Sequence, residues 1–157
     1  MEEDIQIKRA ARVVLFDEND LTPIVEVRGG EYYKIPGGGV ETGETEEQAA
    51  IREACEEAGC EVAIMAKIGE HDFVDPEQPS KTHHSVCFLA KLVGDKRKNA
   101  FDSWERSNDF QLHWVTFDEA VRLFSSSVTQ DKFGVEINKR DLDFLKEGRK
   151  LFLAYAK

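Results

Sequence analysis

Residues 38–60, Gly-Gly-Val-Glu-Thr-Gly-Glu-Thr-Glu-Glu-Gln-Ala-Ala-Ile-Arg-Glu-Ala-Cys-Glu-Glu-Ala-Gly-Cys, constrain this chain more than any other stretch. A glycine-rich turn runs into a short helical pattern that stops at Gly59. Thr45 followed by Gln48 predicts a capping box at the helix start, with Glu46 and Glu47 well placed in the first turn. Gly59 predicts the residue that ends it. Ile51, Ala54, Cys55 and Ala58 repeat at helical spacing and predict one apolar stripe. On the same wheel Glu53, Glu56 and Glu57 fall on the opposite side, as carboxylates three and four residues apart. Like charges so spaced cost stability unless something cationic holds them. Clustered hard oxygen ligands suit Mg²⁺ or Mn²⁺, and those ions suit phosphates.

The segment resembles the signature of the Nudix hydrolases: a Gly, five residues, Glu, seven residues, then Arg-Glu-hydrophobic-x-Glu-Glu-x-Gly-hydrophobic. Gly38, Glu44, Arg52, Glu53, Glu56, Glu57 and Gly59 fill the fixed positions, and Ala54 and Cys60 the apolar ones. The resemblance implies an α/β/α sandwich with a mixed sheet, in which the loop–helix–loop unit sits beside the sheet. It also implies the reaction: water attacks phosphorus in a nucleoside diphosphate derivative or a nucleoside triphosphate, assisted by Mg²⁺ with Mn²⁺ as substitute. By the same resemblance Glu53, Glu56 and Glu57 hold metal, and the Gly38 carbonyl is a backbone ligand. Arg52 orients a carboxylate, and Glu44 lies close to the metals. Arg52 also reads as charge balance on an acidic helix, and Glu44 as a structural residue at its start.

Other site residues are less constrained. In relatives a carboxylate on a loop before a late strand assists the water or binds an extra metal. Glu105 and Asp109, both upstream of Trp114, are the candidates, with Glu53 or Glu56 as alternative bases. Arg28 ends a strand facing the glycine turn and is a candidate phosphate ligand or a plain surface charge. Tyr32 and Tyr33 point to opposite faces of any shared strand, so one at most stacks on a base; Tyr33 is taken as the substrate-binding candidate. His83 and His84 split between faces in the same way and read as surface or strand residues.

The rest of the chain alternates between elements. Strands are expected over 5–16, 22–28, 32–35, 62–73, 84–92 and 110–115, the first two pairing as a hairpin across Asp17–Asp20. A helix is expected to open at Asp118 and another to run over 141–155, weakened by Gly148. This order predicts a mixed sheet covered on both faces. A dinucleotide-binding turn is excluded because Thr42 stands where the last glycine of Gly37-x-Gly39-x-x-Gly belongs, and no P-loop lysine follows the glycines.

Length and composition fit a single domain over 1–157, its signature at 38–60. No apolar run is long enough for a membrane, and the acidic start is unlike a signal peptide. Cys55, Cys60 and Cys87 form no CxxC pair, which argues for a reducing, cytoplasmic setting and against zinc. A net charge of −10 argues against general nucleic-acid binding and leaves a small nucleotide as the expected partner. The basic run Lys96-Arg97-Lys98 reads as a solvated loop. Three function classes follow: an active pyrophosphohydrolase, a non-catalytic nucleotide-binding or regulatory Nudix domain, and a pyrophosphohydrolase of RNA ends. ADP-ribose-like conjugates and nucleoside triphosphates both stay open as substrates, and so does a homodimer.

Overall fold

In the computed structural model, which describes residues 4–156, β1 (Gln6–Val14), β4 (Gly37–Gly39), β5 (Val62–Val74) and β6 (Lys81–Leu92) form a mixed sheet. Its order is β4–β1–β6–β5, with β1 and β6 parallel and the other pairs antiparallel. A second, antiparallel sheet is built from β2 (Leu21–Val27), β3 (Tyr32–Lys34) and β7 (Gln111–Thr116), ordered β3–β2–β7. The helices are α1 (Glu46–Ala58), α2 (Ser103–Ser107), α3 (Phe117–Ser125) and α4 (Lys132–Tyr155). The acidic residues 1–3 lie outside the described part of the chain.

The apolar run at the end of β1 explains the layering. Val13 and Leu15 pack with Ala49, Ala50 and Ala54 of α1, whereas Val14 and Phe16 pack with Phe144 and Leu145 of α4. A strand buried on both faces carries apolar residues at every position, and burying each such side chain contributes about 1.5–3 kcal/mol. The mixed sheet is therefore covered by α1 on one side and by α4 on the other, the α/β/α sandwich expected.

The hairpin expected between the first two strands does not form. Both edges of β1 are already taken, by β4 and by β6, so β2 has no edge to pair with and joins β3 and β7 instead. Asp17 turns the chain between the sheets, its carboxylate accepting from the Asn19 and Leu21 amides at 2.9 and 2.8 Å. The basic run Lys96-Arg97-Lys98 is an exposed loop as expected, and the Lys96 ammonium also bonds Asp17 and lies 3.7 Å from the centre of the Trp114 ring.

The last helix starts nine residues before Asp141 and passes through Gly148 unbroken. A Cβ at Gly148 would sit 2.9 Å from both Ile68 Cδ1 and Val14 Cγ1. The glycine that weakens the helix locally lets it lie close on the sheet.

Candidate active site

Helix α1 is capped as its sequence predicts. Thr45 Oγ1 accepts from the Gln48 amide at 3.1 Å, Gln48 Oε1 accepts from the Thr45 amide at 2.9 Å, and Gly59 closes the helix at φ 65°. The buried face differs from the expected one. Ala49, Ala50, Ala54 and Ala58 go inward, Ile51 and Cys55 are exposed, and Glu53 and Glu57 are buried. The small alanines bring the helix close to β1 and β4, and this proximity carries two of the three carboxylates inside. Glu56 alone stays exposed.

Glu57 is fully enclosed. Its Oε1 accepts from the Gly37 amide at 2.9 Å, and the Lys34 ammonium lies 3.1 Å from each carboxylate oxygen. Lys34 also donates to the Gly37 carbonyl at 3.1 Å and faces the Phe110 ring. Burial pushes the Glu57 carboxyl up to about 7, with Lys34 opposing and the neighbouring Glu105 adding to the rise. Glu53 is raised as well, by burial and then by the charge of Glu57. Glu53 packs against Gly38 so closely that a Cβ there would meet its Oε1 at 2.5 Å. Glycine alone fits without displacing that carboxylate.

Arg52 ties the unit together. It donates through Nε and Nη2 to both oxygens of Glu44 at 2.8 and 3.0 Å. Nη1 reaches Glu53 at 2.9 Å and Glu56 at 3.3 Å, and Nη2 also reaches the Gly39 carbonyl at 2.9 Å. Held this way, the Glu44 carboxyl drops to about 2.

Of the two late carboxylates, Glu105 reaches the cluster. Oxygen atoms of Glu53, Glu57 and Glu105 lie within 4.8 Å of one another, the only such acidic group among the described residues that includes either candidate. Glu105 is fixed by a second capping box, its Oε1 accepting from the Asp102 amide at 2.8 Å. Asp109 does not reach the cleft; its carboxylate accepts from Gln111 at 3.3 Å in the turn before β7. Three carboxylates this close, two of them holding protons above their usual range, fit a hard divalent cation. Glu53, Glu57 and Glu105 would hold it, with Glu56 at the rim and the Gly38 backbone alongside.

Beside the cluster a cleft of about 190 Å³ opens between the mixed sheet and the second sheet. Tyr32, Phe110, Trp104 and Phe133 wall it, and Lys34, Gly38 and Glu105 line the end nearest the carboxylates. Tyr33 is not in it. The alternation of β3 sends Tyr33 into the core, 5.8 Å from Phe124, and turns Tyr32 to the cleft. Arg28 is taken up by Glu31, Asn108 and Asp131 at 2.8, 3.0 and 2.8 Å and stands outside the cleft. His83, a strand residue of β6, lines the wall, bonded to Asp75 at 2.7 Å and stacked on Phe73.

A family description, NUDIX domain, matches residues 6–133. The chain belongs to the Nudix family. It is 34% identical over 100 residues to Nudix hydrolase 4 of Arabidopsis thaliana, covering 62% of this chain and 44% of that protein. It is 38% identical over 86 residues to a putative 8-oxo-dGTP diphosphatase of Bacillus subtilis, covering 55% and 54%. The chain thus spans about half the length of the curated relatives it matches. Among solved structures, a MutT protein from Methanosarcina mazei aligns with a TM-score of 0.62 at 15% identity, covering 95% of this Nudix chain and 97% of that one. A NUDIX hydrolase from Nitrosomonas europaea gives 0.62 at 17%, covering 85% and 87%. At these identities the likeness establishes the fold. No helix among the described residues is long and apolar enough to cross a membrane.

Lys34 is not among the residues expected at the site; in β3 it shares the face of Tyr32, and the ammonium buried there needs an anion. Helix α2 was not expected from the sequence either, although Asp102 and Glu105 stand at capping-box spacing.

Proposed function

We propose that this Nudix chain, as one domain over 1–157, hydrolyses a diphosphate linkage in a nucleoside diphosphate derivative or a nucleoside triphosphate. The convergence of Glu53, Glu57 and Glu105 beside the Gly38 backbone carries this reading. Mg²⁺, with Mn²⁺ as substitute, would neutralise phosphate charge there and make a nearby water more acidic. Every other role belongs to the chain. Arg52 holds Glu53 and Glu44 in one orientation, and Lys34 with the Gly37 amide fixes Glu57. Glu105, half-buried and fixed through the Asp102 amide, would complete that metal site from the second sheet's side of the cleft. The aromatic walls of Tyr32 and Phe110 receive the organic part of the nucleotide. The complete signature and the enclosed carboxylates favour an enzyme over a non-catalytic binding domain.

The three cysteines are unpaired, Cys55 exposed and Cys60 and Cys87 buried, which supports a reducing compartment such as the cytoplasm. The test is release of phosphate, pyrophosphate or a mononucleotide from a panel of nucleoside triphosphates and nucleotide–sugar conjugates with Mg²⁺. Turnover of at least one member that vanishes with EDTA is expected. Binding without turnover across the panel would assign the chain to the regulatory class.

A further inference from the structure

Two buried guanidinium groups at the floor of the cleft share one carboxylate. Asp141 accepts from Arg140 Nε at 2.7 Å and lies 3.7 Å from Arg12 Nε, while its other oxygen is taken by the Ile35 amide at 3.0 Å. Arg12 is 7% exposed and Arg140 is 3% exposed, and both line the cleft. Arg12 Nε and Nη1 and Arg140 Nη2 have no hydrogen-bond partner. Neither does the hydroxyl of Ser85, a buried residue on the same wall.

Such an arrangement is costly by itself. Buried donors without partners are costly, and Arg12 has to share its nearest carboxylate with Arg140. Burial and the charge of Arg140 both push the Arg12 guanidinium below its ordinary value. Asp141 is held low against its burial by these same two arginines, so its charge is fully committed. A group entering here meets donors from three side chains and two guanidinium groups that share one hydrogen-bonded carboxylate, with the charge of Glu57 acting on Arg12 from farther off. A neutral acceptor edge would satisfy the donors but leave the charge. An oxyanion satisfies both, and the guanidinium fork matches its geometry.

The floor is continuous with the carboxylate cluster. Arg12 stands opposite Gly37 in the β1–β4 register, one residue from the Gly38 that packs on Glu53. One molecule can therefore reach both.

We infer that Arg12, Arg140 and Ser85 form a subsite for an oxyanion, a phosphate or carboxylate group carried by the substrate on the side away from its diphosphate. The identity of the carrier rests on the hydrolase reading; the subsite itself does not. A substrate with a second acidic end would be drawn in by the floor while its diphosphate meets Glu53, Glu57 and Glu105.

The test uses the whole chain stripped of metal on a chelating resin, so that metal plays no part and no soluble chelator carboxylate competes. Inorganic phosphate and acetate are each titrated against chloride at constant ionic strength, and followed by calorimetry and thermal melts. Phosphate or acetate is expected to bind and to raise the melting temperature where chloride does not, and the stronger of the two identifies the oxyanion. Ser85→Ala, a small change that the fold should tolerate, and Arg140→Met are each expected to weaken that binding about tenfold or more, as for a lost hydrogen bond to a charged group. Absence of binding by both oxyanions to the wild type overturns the inference whatever the variants do. Undiminished affinity in Ser85→Ala and Arg140→Met overturns it as well. So does stabilisation by the neutral nucleoside guanosine with none by either oxyanion. Mg²⁺-dependent turnover without oxyanion binding sinks the subsite alone, whereas oxyanion binding without turnover sinks the hydrolase reading alone.

Discussion

Both carboxylate oxygens of Glu57 lie 3.1 Å from the ammonium of Lys34, two buried charges joined across 23 positions of sequence. Removing one partner of such a pair strands the other. Lys34→Met should destabilise the metal-free protein by about 3 kcal/mol near pH 8. Near pH 6 the loss should be smaller, because Glu57 then carries its own proton. Lys34→Met combined with Glu57→Gln should recover much of the difference. Urea unfolding of the three variants at both pH values measures this, and an equal loss at both would show that Lys34 acts by packing alone.

The raised carboxyl of Glu57 sets a pH window for the wild type. Its folded value is about 7, above the ordinary 4.5, so the folded state binds this proton more tightly than the unfolded chain does. The stability it contributes is complete below about pH 4.5 and is lost as pH rises through about 7. In EDTA the melting temperature should therefore fall across that interval. Mg²⁺ competes with the same proton, so its apparent affinity should rise up to about tenfold per pH unit until pH passes 7. Melts and calorimetry at closely spaced pH values, with and without Mg²⁺, would expose a flat profile.

Metal should stabilise through Glu57. At a hundredfold excess over its dissociation constant Mg²⁺ is expected to add about 2.7 kcal/mol to the wild type. Glu57→Gln keeps the shape of the side chain and loses its charge, so the gain should largely disappear and turnover should fall by orders of magnitude. The same Mg²⁺ shift in both proteins would move the metal elsewhere.

A methyl group at Gly38 would have to push the Glu53 carboxylate aside. That Cβ would meet the Glu53 carboxylate at 2.5 Å, whereas a Cβ at Gly69 meets only Phe144 Cε1 at an ordinary 4.0 Å. Gly38→Ala should displace Glu53 and cost about a hundredfold in kcat/KM, the scale expected for a misplacement near 1 Å. Gly69→Ala should leave kcat/KM near wild type. Comparable losses in the two variants, at matched stability, would remove the close approach as the cause.

Gly148 tests the packing of α4. In an exposed helix Gly→Ala gains about 1 kcal/mol. Here the methyl group would press on Ile68 and Val14 at 2.9 Å. Overpacking of this kind costs about 1–3 kcal/mol, so Gly148→Ala should come out neutral to destabilising in urea. A clear gain in stability would mean that the helix moves away from the sheet at little cost.

The elements legible in the sequence are those whose causes lie within a few residues. Thr45, Gln48 and Gly59 bound α1 because their hydrogen bonds are local, and the spacing of Gly38, Arg52, Glu53 and Glu57 identified the family. The apolar run at Val13–Phe16 belongs to the strand expected over 5–16, and its cover on both sides came from the packing. Tertiary structure decided the rest. Which edges of β1 were taken sent β2 to another sheet, and close packing of the alanine face of α1 turned Glu53 and Glu57 inward while Glu56 stayed outside. The choice of Glu105 over Asp109, of Tyr32 over Tyr33, and the meeting of Arg12 with Arg140 around Asp141 all depend on register and packing between distant segments. Capping and periodicity are set by neighbours along the chain; charge pairing and burial are set by neighbours in space, which only the folded arrangement of both sheets supplies.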